Sequence, residues 1–215
     1  MTHVAAPPPQ FMFDFGSPNA YLAHKVIPDI EKRTGARFDY KPVLLGGVFK
    51  ATGNRSPAEA YASIPAKLAY ENLEMRRFII RHGLVRFKSN PHFPVNTLGI
   101  MRGAMAAKRL DLFVPYVEAV FAAMWEHEAK MDDPKVIAER LQAAGLPAET
   151  LMTLTQDQSV KDELTANTNE AVAKGVFGSP SFLVGEELFF GKDRLAEVEA
   201  AIVGGGGGDE NSGIR

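Results

Sequence analysis

The chain has no cysteine. That excludes a disulfide framework, a thiolate metal site and any redox step on a thiol of the protein's own. It also fits the cytosol, where disulfides are not used for stability. A long hydrophobic run is missing too. The best candidate, Leu112 to Trp125, is broken by Pro115 and Glu118 and falls short of the roughly 20 apolar residues of a bilayer span, so no membrane association is expected. Charge of one sign is absent: 24 Lys and Arg against 26 Asp and Glu leave a net −2, which offers no basic field to nucleic acid or to an acidic lipid surface. Metal-ligand spacing is lacking as well. Glu126-His127-Glu128 has no second histidine one turn on, and His24, His82 and His92 stand alone, so no metal is expected. The five glycines at 204–208 are followed by no lysine and hydroxyl residue and make no phosphate loop.

What is present is an ordinary globular mixture, 46% hydrophobic and 23% charged over 215 residues, enough for one compact domain with an insertion. Residues 1–10 hold three consecutive prolines and no apolar stretch with a basic flank. They are expected to be a disordered tail and not a signal peptide. Residues 204–215, glycines and then polar residues, are expected to be a second disordered tail.

Between the tails, Phe11 to Phe15 is apolar and aromatic except for Asp14 and reads as a strand. Ser17-Pro18 then opens a helix: serine is a favoured N-cap, and proline suits the first helical position, whose N–H is unpaired anyway. The helix runs through Ala20, Leu22, Ala23, Val26, Ile27 and Ile30 to Gly35, with a kink expected at Pro28. Arg37 to Val43 reads as a second strand, giving a βαβ unit. Helical periodicity then takes over, with helices expected around Leu68–Ile80, Ala104–Leu110, Tyr116–His127 and Pro134–Ala144, and a rigid loop at Pro91 to Asn96. A helix from Val160 to Lys174 follows, with Gly175 as its C′ residue. Next comes a hairpin of Ser181–Val184 and Leu188–Phe190 around Gly185-Glu186-Glu187, and a last helix over 193–203 opening at Asp193. The order is βαβ, a helical insertion, then αββα. The expected fold is an α/β thioredoxin-like domain made of residues 11–48 and 156–203, split by an all-helical insertion at 49–155.

Two positions stand out chemically. A serine hydroxyl at a helix N-terminus sits among free N–H groups and about half a positive charge, where an anion such as a thiolate is stabilised. The plain reading of Ser17 is only a cap. Ser179-Pro180 is either an ordinary turn or a cis-proline turn. In the second case the backbone N–H and C=O of Ser179 are left free to pair with an extended peptide.

The stretch Phe13-Asp14-Phe15-Gly16-Ser17-Pro18-Asn19-Ala20-Tyr21-Leu22-Ala23 resembles the active-site strand and helix of the 2-hydroxychromene-2-carboxylate isomerases. These are relatives of the kappa-class glutathione transferases in the DsbA-like branch of the thioredoxin superfamily. Similar matches follow at Pro42 to Phe49, Gly53-Asn54, Pro65-Ala66-Lys67, Pro91 to Thr97, Gly175 to Phe182 and Phe190 to Leu195. The resemblance covers residues 11 to about 203. It implies glutathione as cofactor, with a serine where a redox cysteine would stand.

By position, the resemblance implies that Ser17 is catalytic and holds the glutathione sulfur as thiolate. Ser179, before Pro180, would pair with the cysteinyl backbone. Asp193, with Lys192 beside it, would receive the γ-glutamyl ammonium, and Asn54 and Lys67 would reach the glycyl end or the floor of the site. The plain readings are a helix cap for Asp193, a turn asparagine and a solvated lysine. Kappa transferases often carry serine at the Lys192 position and Pro-Tyr-Ser where this chain has Pro18-Asn19-Ala20; both departures favour the isomerase branch. The resemblance further implies isomerisation of an aromatic-derived carboxylate by thiolate addition, ring opening, bond rotation and elimination, in a cytoplasmic homodimer. A kappa-like transferase and a noncatalytic thioredoxin-like binding module are the alternatives. Lys50 and Arg55 are candidates for the substrate carboxylate, His92, Phe93 and Asn96 are candidates to line a substrate pocket, and Phe121, Met124 and Trp125 are read as core.

Overall fold

A computed structural model describes residues 7–205; most of the two expected tails, 1–6 and 206–215, lies outside the described residues. Regular structure begins within the expected tail of residues 1–10. Gln10 opens the first strand, and the Pro9 carbonyl accepts the Asp39 N–H at 2.8 Å, so backbone pairing holds the end of that segment.

Strands β1 (Gln10–Phe13), β2 (Asp39–Pro42), β3 (Ser181–Val184) and β4 (Glu187–Phe190) form one sheet in the order β2-β1-β3-β4. β1 pairs parallel with β2 and antiparallel with β3, which pairs antiparallel with β4. β1 is central and covered on both faces, which is why it reads as a continuous apolar run. Its side chains alternate between two cores: Phe11 and Phe13 enter the larger one, and Met12 enters a smaller one with Val43, Val48, Ala171 and Val176. The β3–β4 turn is one residue tighter than expected, because Glu187 already pairs with Val184 and Gly185 takes a positive φ of 59°.

Helix α1 (Pro18–Thr34) starts at the Ser17 cap and ends at Gly35, whose φ of 75° suits glycine and whose N–H returns to Glu31. It runs unbroken through Pro28. That proline lies on the exposed face of the helix. The helical region contains α2 (Leu45–Thr52), α3 (Pro57–Ala60), α4 (Pro65–Arg81), α5 (Leu98–Arg109), α6 (Phe113–Trp125), α7 (Pro134–Ala143) and α8 (Ala148–Leu154). The sequence reading had no α2, α3 or α8. Runs of eight, four and seven residues are too short to display a 3.6-residue period. The expected division at 48/49 falls inside α2. After α9 (Gln158–Ala173) and the hairpin, a 3-10 turn at Lys192–Arg194 precedes α10 (Leu195–Val203), so the last helix opens two residues later than expected and Asp193 is not its cap.

The large core runs through both parts of the chain. Phe13 and Phe15 of the first part pack on Phe121 of α6, with ring centroids 5.5 and 4.8 Å apart. α5 crosses α6 at Gly103, where an added Cβ would stand 1.9 Å from the Tyr116 hydroxyl oxygen, so only glycine fits.

Candidate functional site

The loop between β1 and α1 is set by Asp14, which directly follows the strand, so that the strand expected over Phe11 to Phe15 ends at Phe13. Its carboxylate is wholly buried. One oxygen accepts the Gly16 N–H at 2.8 Å; the other accepts the Leu45 N–H at 2.8 Å and the Thr97 hydroxyl at 3.1 Å. Burial pushes this carboxyl above the usual carboxylate range, while those three donors pull the other way. Trp125 supports the same loop by donating its indole N–H to the Phe15 carbonyl at 2.8 Å. The sequence reading missed Asp14 and Thr97. The available signal was a lone acid amid aromatics, since a buried acid is rare unless partnered. Trp125 is core, as expected, and has this second task.

Ser17 is buried, 5% exposed, at the start of α1. Its hydroxyl accepts the Ala20 N–H at 3.2 Å, the expected capping bond, and donates to the Ser179 carbonyl at 2.9 Å across 162 residues. The two serines picked from the sequence therefore meet. The Ser179 hydroxyl accepts the Asp14 N–H at 3.1 Å, and the Ser179–Pro180 bond is cis, as the sharper reading has it. One expectation is corrected: the Ser179 carbonyl is not free, because Ser17 already donates to it.

The other candidates fall into three groups. Asn54 is exposed but joins the turn, its amide donating to the Phe177 carbonyl at 2.8 Å. Pro180 is tied to the next pair, since its carbonyl accepts the Gly191 N–H at 2.9 Å. Lys192 is buried, its ammonium 2.8 Å from both Asp193 oxygens and 5.2 Å from the Phe78 ring centroid of α4. A γ-glutamyl ammonium at Asp193 would thus share a carboxylate that Lys192 already holds. Lys67 is not brought to the turn: it is exposed on the first turn of α4, 3.7 Å over the Tyr61 ring. Lys50, Arg55 and His92 are exposed, Phe93 lies against Trp125, and Asn96 lines a separate cavity.

Chemically, the site has two serine hydroxyls and a helix N-terminus, with no thiol on the protein. It suits a ligand that brings its own anionic atom to the start of α1. Among the described residues no three His, Asp or Glu side chains gather as metal ligands, and no helix is long and apolar enough to cross a membrane.

The thioredoxin-like sheet with its serine-capped helix facing a cis-proline turn sets the class. The DSBA-like thioredoxin domain matches residues 10–203, and the chain belongs to that family. Within it, the chain is 26% identical over 195 residues to the 2-hydroxychromene-2-carboxylate isomerase of Sphingobium xenophagum, covering 90% of this chain and 96% of that protein. It is 27% identical over 204 residues to the glutathione S-transferase kappa 1 of Caenorhabditis elegans, covering 86% of each. A solved structure of a 2-hydroxychromene-2-carboxylate isomerase superposes with a TM-score of 0.78 at 24% identity, over 91% of this chain and 94% of that one, which shows the shared fold.

Proposed function

We propose that the protein is a glutathione-dependent isomerase of an aromatic-derived carboxylate, like the 2-hydroxychromene-2-carboxylate isomerases it resembles. The observation that carries this reading is the Ser17 hydroxyl, placed at the α1 N-terminus within hydrogen-bond reach of Ser179 before the cis Pro180, in a chain without cysteine. The residues present fit a thiol-bearing peptide at that point. A buried hydroxyl can turn from the Ser179 carbonyl to a sulfur, and the carbonyl it releases can accept a peptide N–H. Glutathione, when bound, supplies a thiolate that adds reversibly to the substrate, so that a double bond becomes single, rotates and re-forms. Ser17 holds the negative charge with its proton and with the field of α1. Asp14, Thr97 and Trp125 fix the loop so that little reorganisation accompanies the chemistry. Asn54 braces the Phe177 end of the turn, and Lys192 holds the half-exposed Asp193, the carboxylate this reading assigns to the γ-glutamyl ammonium. Lys67 belongs to this reading only as a contact for the outer end of the peptide.

The reading places the protein in the cytosol, where thiols are kept reduced, and as a homodimer, whose mass light scattering would give. Its test is turnover with glutathione counted. The expected result is product formed with glutathione unspent, and Ser17→Ala lowering kcat by about tenfold to a thousandfold, the scale for losing one preorganised donor. Stoichiometric depletion of glutathione would replace the reading with a kappa-like transferase. Absence of glutathione binding by calorimetry would replace it with a noncatalytic module.

A further inference from the structure

A second place in the molecule has the make-up of a ligand site. A cavity of about 420 Å³ lies among α5, α7 and α8 and shares no lining residue with the Ser17–Pro180 turn. Its size falls within the range of small-molecule pockets. The walls are largely apolar, with Leu98, Ile137, Leu141 and Leu151 and two methionines, Met131 and Met152, whose unbranched chains adapt to an occupant's shape. Gly99 stands at its exposed mouth, where an added Cβ would meet nothing within 4 Å.

Into these walls the sequence places one guanidinium, that of Arg102. Among the described residues Arg102 makes no ion pair and no side-chain hydrogen bond, although it is half-buried. The acid on the same wall, Asp132, is taken by Lys130 at 3.0 Å, and that pair is neutral together. The next arginine along α5 shows the contrast: Arg109 is held by Glu163 at 2.6 Å and reaches Asp157 at 3.8 Å. Arg102 thus brings five N–H donors to the cavity with no partner for them among the described residues, while the Asp132 carboxylate on the same wall is already paired with Lys130. A partly desolvated cation gains most from an anion that can take two of its N–H groups at once, which is the geometry of a carboxylate. A phosphate, with more charge and more oxygens to satisfy, finds one cation and apolar walls.

We propose that this cavity binds a small carboxylate with a compact apolar body, the carboxylate on Arg102 and the body between the leucines and methionines. The site is separate from the glutathione reading and stands without it.

The test uses the full chain and naphthoate as probe, with naphthalenemethanol as its uncharged counterpart, titrated by calorimetry. Naphthoate should bind at one site, and the alcohol about tenfold or more weaker, the scale of a charge-assisted hydrogen bond. Arg102→Gln should weaken naphthoate by about tenfold or more and leave the alcohol unchanged. Gly99→Leu puts a side chain in the mouth and replaces a helical glycine with a better helix former; it should abolish both while melting no lower than the parent. Ser17→Ala should leave naphthoate binding as it was, and Arg102→Gln should leave glutathione binding as it was. No naphthoate binding by the parent, binding indifferent to both Arg102→Gln and Gly99→Leu, or binding lost in Ser17→Ala would each overturn the proposal, the last by putting the probe at the other site.

Discussion

Helices α1 and α4 have the same length, 17 residues, and each opens with a proline, yet eight side chains of α1 are buried and one of α4 is, Phe78. α1 packs against α6 and α10 and is closed at both ends, by the Ser17 hydroxyl and by Gly35. α4 has no side-chain cap at its start and lays Phe78 against the Lys192 ammonium, with Met75 and Ile79 half-covered. The contrast suits the division of labour in the proposed site. The group that must be held to a fraction of an ångström, Ser17, begins the helix that cannot move without opening the core. Lys67, whose part in the proposed site is a contact at its edge, rides on the helix that can shift cheaply.

The comparison can be broken or sharpened in four steps of decreasing size. Leu22→Ala, at a fully buried position of α1, should cost about 3 kcal/mol or more in urea unfolding, the usual range for a core leucine. Phe78→Ala should act locally: amide exchange along α4 should quicken by an order of magnitude or more at about unchanged exchange in α1, because one anchor holds the helix. Equal loss of protection in both would show that α4 belongs to the same cooperative unit. The third step probes the outer edge of α1. There His24 Nε2 lies 3.0 Å and Lys25 Nζ 2.8 Å from Glu118, and these partners, His24 first, hold its carboxyl down to about 2. A carboxyl held low stabilises the fold above its ordinary value near 4.5 and stops doing so as pH falls toward 2. Glu118→Gln should therefore lower the melting temperature at neutral pH, by an amount corresponding to no more than about 1 kcal/mol for a half-exposed pair, and the gap should close through that acid interval. A gap independent of pH would mean the pairing contributes only shape. Last, Ile80→Ala, 80% exposed on α4, should change stability by no more than about 0.5 kcal/mol. A cost above about 1 kcal/mol would mean that this face is covered in solution, as a homodimer could cover it.

Much of the frame was legible because its signals are local. Ser-Pro ahead of an apolar helix, Gly35 and Gly175 beyond helix ends, and the alternation around Tyr40 each need only a few neighbouring residues. The unread parts are those where partners come from afar. Asp14 is understood only once Leu45 and Thr97 stand beside it, and the Ser17–Ser179 bond only once the sheet has brought β3 next to β1. Lys192 and Asp193 are adjacent in sequence, but nothing in the sequence says that Lys192 turns inward under Phe78 and keeps both carboxylate oxygens. The helices α2, α3 and α8 went unread because they are shorter than the period that reveals a helix.

The bond from the Ser17 hydroxyl to the Ser179 carbonyl already commits the Ser17 proton. Any visitor must offer a better acceptor than a peptide oxygen before that proton will swing over. An uncharged sulfur is a poorer acceptor and wins nothing from the exchange, whereas an ionised one wins clearly. On the function proposed above, this bond is a filter by charge, favouring the ionised form of a thiol over the neutral one.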